Sequence, residues 1–151
     1  MGIECMLISI MKFDSTSDTR RRNMRAIRAK GNKSTEGRFR GGLVRRGISG
    51  WTMHSTAVPG CPDFFFQREQ VAVFIDGCFW HSCPKCGHVP RTNTVYWSSK
   101  LARNKERDFR TTESLQKLKV QVLRMWECDV RDDFENCFGR LSFLLRATRQ
   151  P

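Results

Sequence analysis

The stretch DFFFQREQVAVFID, residues 63–76, decides the fold. Two apolar runs rich in Phe and Val lie on either side of a short polar break, a pattern that predicts a β-hairpin. Because the apolar residues follow one another without alternation, we expect both faces of the hairpin to be buried. A turn centred near Glu69 would set Asp63 opposite Ile75 and bring Asp63 and Asp76 together at the open end.

Two acids at the mouth of an apolar hairpin suggest a metal site. A buried carboxylate is unfavourable unless a partner uses it. Asp63, Asp76 and a main-chain carbonyl offer the oxygen ligands that Mg²⁺ prefers. The spacing is therefore compatible with a catalytic magnesium site here. The alternative is that Pro62 and Asp63 only begin a strand, with the carboxylate capping nearby amides.

Four of the seven cysteines suggest a second metal site. Without an export signal the reducing cytosol is the expected compartment, where metal ligation is more common than disulfide formation. Cys78, Cys83 and Cys86 have the spacing C-x4-C-x2-C, and Cys128 ends the next predicted strand. Four thiolates predict a closed, structural zinc site, with His88 as the expected substitute ligand. The alternative is that these cysteines are small buried hydrophobes.

Helices are predicted on both sides of these strands. Before the hairpin, a basic helix is predicted over 17–30, and a second helix is capped by Ser34, ends at Gly47 and has Phe39, Leu43 and Val44 on its apolar face. After the hairpin, a helix over 94–119 precedes the strand VQVLRMW at 120–126. The last helix begins at about Asp132, and the apolar residues on one of its faces are Phe134, Cys137, Phe138, Leu141, Leu144 and Leu145. This order predicts a mixed α/β domain. With 151 residues in all, we expect one domain over 17–151 and a flexible N-terminal extension over 1–16.

The charge of the chain indicates a polyanionic partner. Lys and Arg number 27 against 15 Asp and Glu, a formal charge of +12. Nucleic acid is the interpretation that fits best, because the basic residues come with aromatic residues and metal-site patterns. A solvated basic face and an anionic membrane surface are the alternatives. No stretch approaches the roughly 18 apolar residues that span a bilayer.

Large aromatic residues lie between the two predicted metal sites. Phe79, Trp80 and His81 follow the hairpin directly, and Trp97 comes later in the chain. Aromatic side chains beside a metal site are suited to sliding between base pairs, and a histidine is suited to deprotonating water near neutral pH. Packing in the core is the alternative for the aromatic side chains.

An ordered series of motifs resembles the very short patch repair endonuclease family over roughly residues 17–130. The motifs are NMRAI at 23–27, Glu36, PGCPDF at 59–64, VFIDGCFWH at 73–81, YW at 96–97, NKERD at 104–108 and WEC at 126–128. The resemblance implies a restriction-endonuclease-like core, a mixed sheet flanked by helices. It also implies Mg²⁺-dependent nicking of double-stranded DNA on the 5′ side of the mismatched thymine in a T:G pair.

The resemblance also implies roles for single residues. Asp63 would hold the metal ion, with the main-chain carbonyl of Ile75, and Glu36 would lie nearby. His81 would activate water, and Asp108 would orient it. The residues that would contact DNA are Met24, Arg25, Phe79, Trp80 and Trp97.

Two positions depart from the family pattern. Cys61 stands where a basic residue is usual, so one DNA contact is missing, and Asp76 replaces a histidine, so an extra carboxylate would join the metal shell. We expect a monomer in the bacterial cytoplasm, associated with the nucleoid and not with a membrane. Coupling to a cytosine methyltransferase and to mismatch-repair proteins belongs to the same expectation. A double-strand restriction nuclease and a non-catalytic zinc-stabilised DNA-binding module are the alternatives.

Overall fold

A computed structural model describes residues 35–148 of the chain. The elements in chain order are α1 (Thr35–Arg45), β1 (Trp51–Met53), β2 (Phe64–Phe66), β3 (Val71–Asp76), α2 (Thr94–Lys117), β4 (Gln121–Trp126), α3 (Glu127–Asp132) and α4 (Phe134–Ala147). The predicted N-terminal extension, the basic helix over 17–30, Met24 and Arg25 lie outside the described residues. No helix within residues 35–148 is long and apolar enough to cross a membrane.

The strands form one mixed sheet in the order β1-β2-β3-β4. The first three strands are antiparallel, and β4 runs parallel to β3 after the crossover through α2. The predicted hairpin is confirmed, but its register is shifted by one residue. Phe64 pairs with Val73, so the turn is centred between Arg68 and Glu69 and not on Glu69. The reason is that an even number of residues, 67–70, connects the strands.

Both faces of the hairpin are buried, as its sequence predicts. On one face, Phe64, Phe66 and Val73 pack in a large apolar cluster with side chains from α1 and α4. On the other face, Phe65 and Phe74 pack in a smaller cluster against Leu115 of α2. Helices therefore cover the sheet on both sides, which confirms the mixed α/β class.

The structure also corrects details of the predicted helices. In α1, Phe39 and Leu43 are buried as predicted, whereas Val44 is 65% exposed because it points away from the sheet. Gly42 lies under α4, where a Cβ would come within 2.6 Å of Phe138. The predicted helix over 94–119 ends at Lys117, because Lys119 takes the left-handed conformation (φ 59°). Two short elements, β1 and α3, were not predicted.

Candidate active site and cysteine cluster

The four predicted zinc ligands lie together. Cys78 follows β3, Cys83 and Cys86 lie in the next loop, and Cys128 lies in the first turn of α3, with their sulfur atoms all within 4.8 Å of one another. The Sγ atoms of Cys83 and Cys128 are 3.7 Å apart. A tetrahedral zinc ion with bonds of about 2.3 Å would separate its sulfur ligands by about 3.8 Å. The cluster therefore fits zinc.

The loop backbone fixes this cluster. The amide of Cys83 donates to the carbonyl of Cys78, and the amide of Gly87 donates to the carbonyl of Cys83, both at 2.8 Å. A Cβ on residue 87 would stand 2.5 Å from that second carbonyl, so the turn requires glycine. His88, the predicted substitute ligand, is not in the cluster, and its ring packs 5.7 Å from that of Phe79.

The thiols of the cluster differ in acidity. Although burial opposes ionisation, the backbone amides of Cys86 and Lys85 lower the pKa of the Cys83 thiol to about 7. Burial raises the pKa of Cys128 to about 11 and raises that of Cys78 further. The amide of Cys128 donates to the Cys78 sulfur at 3.3 Å. Such a set releases protons on metal binding, because thiolates are the metal-binding form.

Asp63 lies at the start of β2, beside a second group of possible ligands. One oxygen of its carboxylate accepts a hydrogen bond of 2.7 Å from the Ile75 amide. Glu36, His54 and Asp63 each direct one ligand atom into the same space, all within 4.8 Å of one another. Burial, together with the charges of Glu36 and Asp76, raises the pKa of the Asp63 carboxyl to about 6, although the Ile75 hydrogen bond and the charge of His54 lower it. A cation between these groups would relieve this repulsion.

Asp76 is directed away from this group. Arg124 of β4 binds its carboxylate through two hydrogen bonds of 2.7 Å each. The Asp76 side chain is only 8% exposed, and it acts on Asp63 through its charge. The structure therefore brings Asp63, Glu36 and Ile75 together and joins Asp76 to a different cluster.

That cluster contains His81 and Asp108. The Nδ1 atom of His81 lies 2.5 Å from Asp108 Oδ2 and 3.7 Å from Asp76 Oδ1. Arg124 also approaches Asp108, with 3.3 Å between Nη2 and Oδ1. Although burial opposes it, the hydrogen bond and charge of His81 and the charge of Arg124 hold the pKa of the Asp108 carboxyl below its usual range. With Nδ1 engaged, Nε2 is the nitrogen that can accept a proton from water.

A cavity opens beside this pair. Its volume is about 240 Å³, and it is lined by Asp76, His81, Lys105, Asp108, Arg124 and Trp126. Sequence reasoning missed His54, Arg124 and Lys105. Arg124 carried a signal, since it is the one charged residue in the strand VQVLRMW. His54 carried little, because it follows a strand of three residues.

The three predicted wedge aromatics form a cluster of their own. Phe79 makes edge contacts with Trp80 and Trp97 at centroid distances of 5.0 and 5.3 Å. Asn104 of α2 donates to the Trp80 carbonyl at 2.9 Å, and the Lys100 ammonium lies 5.4 Å from the Trp80 ring. The three rings are half-buried and belong to neither apolar core cluster of the described residues. They therefore present a partly exposed aromatic surface next to His81.

Comparison with known proteins agrees with this geometry. The family model described as DNA mismatch endonuclease Vsr matches residues 13–86. The DNA mismatch endonuclease Vsr of Escherichia coli K12 is 37% identical over 115 residues, which cover 75% of this chain and 72% of that protein. The chain belongs to the DNA mismatch endonuclease Vsr family. Membership confirms the resemblance found in the sequence and makes the chain a DNA endonuclease.

Two nicking enzymes are further relatives in this family. The type II nicking enzyme V.NaeI of Lentzea aerocolonigenes is 43% identical over 118 residues, covering 76% of this chain and 70% of the enzyme. The type II nicking enzyme V.NmeAIP of Neisseria meningitidis is 40% identical over 89 residues, covering 58% of this chain and 62% of the enzyme. The matched Vsr segment, 13–86, includes Glu36, His54, Asp63 and His81.

Proposed function

We propose that the chain nicks one strand of double-stranded DNA on the 5′ side of the mismatched thymine in a T:G pair, as a step of very short patch repair. The observation that carries the proposal is the hydrogen bond between His81 and Asp108, in a member of the Vsr family. Asp76 lies 3.7 Å from the same imidazole and acts on Asp63 through its charge. A base and an acidic metal-binding group are the parts that phosphodiester hydrolysis requires.

The acidic group supplies the metal-binding part. Asp63, with the main-chain carbonyl of Ile75, would hold Mg²⁺, which neutralises charge on the phosphate in the transition state and polarises the leaving oxygen. Glu36 adds negative charge to the same space. That Asp76 also binds this ion stays a prediction. It requires the Asp76 carboxylate to leave Arg124 and to bind the ion instead.

His81 supplies the base. Asp108 orients the imidazole, so Nε2 takes the proton of the attacking water as the water oxygen bonds to phosphorus and one phosphate ester bond breaks. A carboxylate behind the ring also stabilises the imidazolium that forms.

The aromatic cluster supplies mismatch selectivity. Phe79, Trp80 and Trp97 would enter the base stack beside the mismatch. A T:G pair stacks poorly, so opening the stack there costs a few kcal/mol less than opening it in paired DNA. The half-buried state of the three rings, outside the core, supports this role over core packing.

The cysteine cluster would hold Zn²⁺ with a structural role. Four thiolates leave no open position for substrate. Zinc would tie the loop that carries Phe79, Trp80 and His81 to the start of α3. We also assign the sheet to a restriction-endonuclease-like core, because its antiparallel hairpin carries the acid and pairs with a parallel strand. Monomeric action in the bacterial cytoplasm, with coupling to a cytosine methyltransferase and to mismatch-repair proteins, completes the proposal.

The experiment is a strand-mapping assay. Matched and T:G duplexes, labelled on either strand, are incubated with the protein with and without Mg²⁺. We expect one break, 5′ to the mismatched thymine, only in the T:G duplex and only with Mg²⁺. Breaks in both strands of the matched duplex would favour a restriction-type enzyme. Tight binding without a break, unchanged in Asp63→Ala, would favour a non-catalytic binding module.

A further inference from the structure

His54 lies between the two acids of the proposed catalytic centre. Its Nε2 atom is 3.3 Å from Glu36 Oε2, and its Nδ1 atom is 4.0 Å from Asp63 Oδ1. An octahedral ion with bonds of about 2.1 Å separates its ligands by about 3.0 Å when they are adjacent and about 4.2 Å when they are opposite. The distance of 4.0 Å from Nδ1 to Oδ1 is close to the separation of two opposite ligands.

The Nδ1 atom of His54 has no hydrogen-bond partner among residues 35–148, although it is buried. A buried polar atom without a partner is unfavourable, and its presence calls for an explanation. The distance of 4.0 Å to Asp63 is too long for a hydrogen bond. An ion between these two atoms would satisfy both. Glu36, on the opposite side of the ring, would then hold the proton on Nε2, as carboxylates commonly do behind metal-bound histidines.

The backbone also holds His54 in an unusual conformation. Its φ is 50°, in the left-handed region that non-glycine residues rarely adopt. Two contacts maintain it, because the His54 amide donates to the Asp63 carbonyl at 3.3 Å and its own carbonyl accepts the Cys61 thiol at 3.4 Å. Strained residues fixed in this way cluster at functional sites. Here the residue that fixes the backbone, Asp63, also shares the ligand space.

We propose that His54 is a direct protein ligand of the divalent ion at Asp63 and that its nitrogen makes this centre prefer Mn²⁺ to Mg²⁺. The inference rests on the proposed function only in placing the catalytic ion at Asp63. An all-oxygen site suits Mg²⁺, whereas an imidazole ligand favours transition metals. A site in which an imidazole nitrogen takes the place of one oxygen ligand beside the Asp63 carboxylate therefore binds Mn²⁺ more tightly than Mg²⁺.

The test is pulsed electron paramagnetic resonance of Mn²⁺ bound to the zinc-loaded full chain, without DNA. A directly bound imidazole gives a ¹⁴N coupling to the manganese electrons. We expect the coupling in the unaltered protein and its loss in His54→Asn, a replacement that tolerates the left-handed backbone. The affinity for Mn²⁺ should fall by roughly 10–100-fold, and that for Mg²⁺ by less.

The matched control is His88→Asn, which removes an exposed imidazole outside the group. It should keep the coupling and the affinity. A coupling that persists in His54→Asn, or its absence from the unaltered protein, would overturn the inference. Equal loss of Mg²⁺ and Mn²⁺ affinity would overturn the preference. Nicking of the T:G duplex is scored separately, so failure of the proposed function would leave this spectroscopic result standing.

Discussion

Arg124 and Asp76 form a bidentate ion pair between neighbouring parallel strands, with both hydrogen bonds at 2.7 Å. The two residues are 48 positions apart in the sequence. The guanidinium also lies 3.3 Å from Asp108 and stacks 4.8 Å from the Phe74 ring. One arginine therefore balances two carboxylates at the edge of the cavity beside His81. It also fixes the distance between β4 and the helix that carries Asp108.

Arg124→Gln should destabilise the protein strongly. The change leaves the Asp76 carboxylate, 8% exposed, without its arginine, and it leaves His81 as the contact that still compensates Asp108. Removing one partner of a buried pair costs about 3–5 kcal/mol, so we expect roughly 2–4 kcal/mol here, where the arginine is partly exposed. Urea unfolding followed by circular dichroism measures the effect.

The control for this loss is Arg110→Gln, which breaks an exposed pair with Glu106 one helical turn away. That change should cost less than about 0.5 kcal/mol. Asp76→Asn combined with Arg124→Gln should recover part of the stability, because it removes the buried acid that has lost its arginine. Equal effects of Arg124→Gln and Arg110→Gln would contradict the importance assigned to the buried pair.

Asp63→Asn should abolish nicking and yet stabilise the protein when no Mg²⁺ or Mn²⁺ is bound. Burial raises the pKa of Asp63 from 3.8 to about 6, so ionising this carboxyl opposes folding. The stability that it contributes is complete below about pH 4 and is lost as the pH rises to about 6. The variant should therefore be more stable by up to about 3 kcal/mol at pH 7.5, and the difference should shrink toward pH 4.

Thermal melts of the zinc-loaded proteins at pH 5 and pH 7.5 measure this difference. Asp133→Asn, at an exposed acid whose side chain makes no capping hydrogen bond, is the control and should change little at either pH. A variant less stable than the unaltered protein at pH 7.5 would mean that the Asp63 carboxylate is well compensated before any ion binds.

The sequence predicted the elements whose signal is local. The runs at 64–66 and 71–76 and the apolar face of the last helix were found because continuous or periodic apolar residues specify burial directly. The four cysteines came together as predicted because short loops and a following strand constrain them. Register was wrong by one residue because it depends on whether the turn holds an even or odd number of residues.

The contacts that the sequence missed are pairings between distant positions. The Arg124 partner lies 48 positions away, and nothing in a single sequence links the two. His54 follows β1, a strand of three residues that lacks a clear pattern, and only the pairing of β1 with β2 brings it to Asp63. Pairwise geometry of this kind depends on the packed sheet.

Asp108→Asn should slow nicking without weakening DNA binding. The amide cannot hold the His81 imidazole as a carboxylate 2.5 Å from Nδ1 does, and it does not stabilise the protonated ring. A general base typically contributes about 10²–10⁴-fold to a rate, and we expect a loss in this range. Single-turnover nicking gives the rate, and fluorescence anisotropy gives the affinity. Full activity in this variant would exclude His81 as the base oriented by Asp108.

Trp80→Ala should reduce discrimination between T:G and matched duplexes. A stacked aromatic side chain contributes about 1–3 kcal/mol, so the ratio of nicking rates should fall by roughly 10–100-fold. Phe109→Ala removes an aromatic side chain that is 62% exposed on α2 but lies outside the cluster, and it should leave the ratio unchanged. If the ratio of nicking rates were unchanged in Trp80→Ala, the Trp80 ring would have only a packing role.

Chelation of the Zn²⁺ that we propose for the cysteine cluster should unfold the domain around it. The cluster joins the loop after β3 to the first turn of α3. Besides the sulfur atoms, the Cys128 amide donates to the Cys78 sulfur and the exposed Lys85 pairs with Asp129, and neither contact replaces four bonds to a metal ion. Chelation should therefore abolish the near-ultraviolet circular dichroism signal and reduce the far-ultraviolet one. The zinc content of the protein, measured before and after chelation, shows whether the metal has been removed.

Cys128→Ser should reproduce the effect of chelation, because it removes one of the four ligands. Cys61→Ser is the matched change outside the cluster and should keep both zinc and fold. A chelated protein that lost its zinc but kept both spectra would show that the surrounding packing, and not the metal, fixes the loop that carries His81. In that case Cys128→Ser would also leave the nicking rate intact, since His81 would stay in place without the ion.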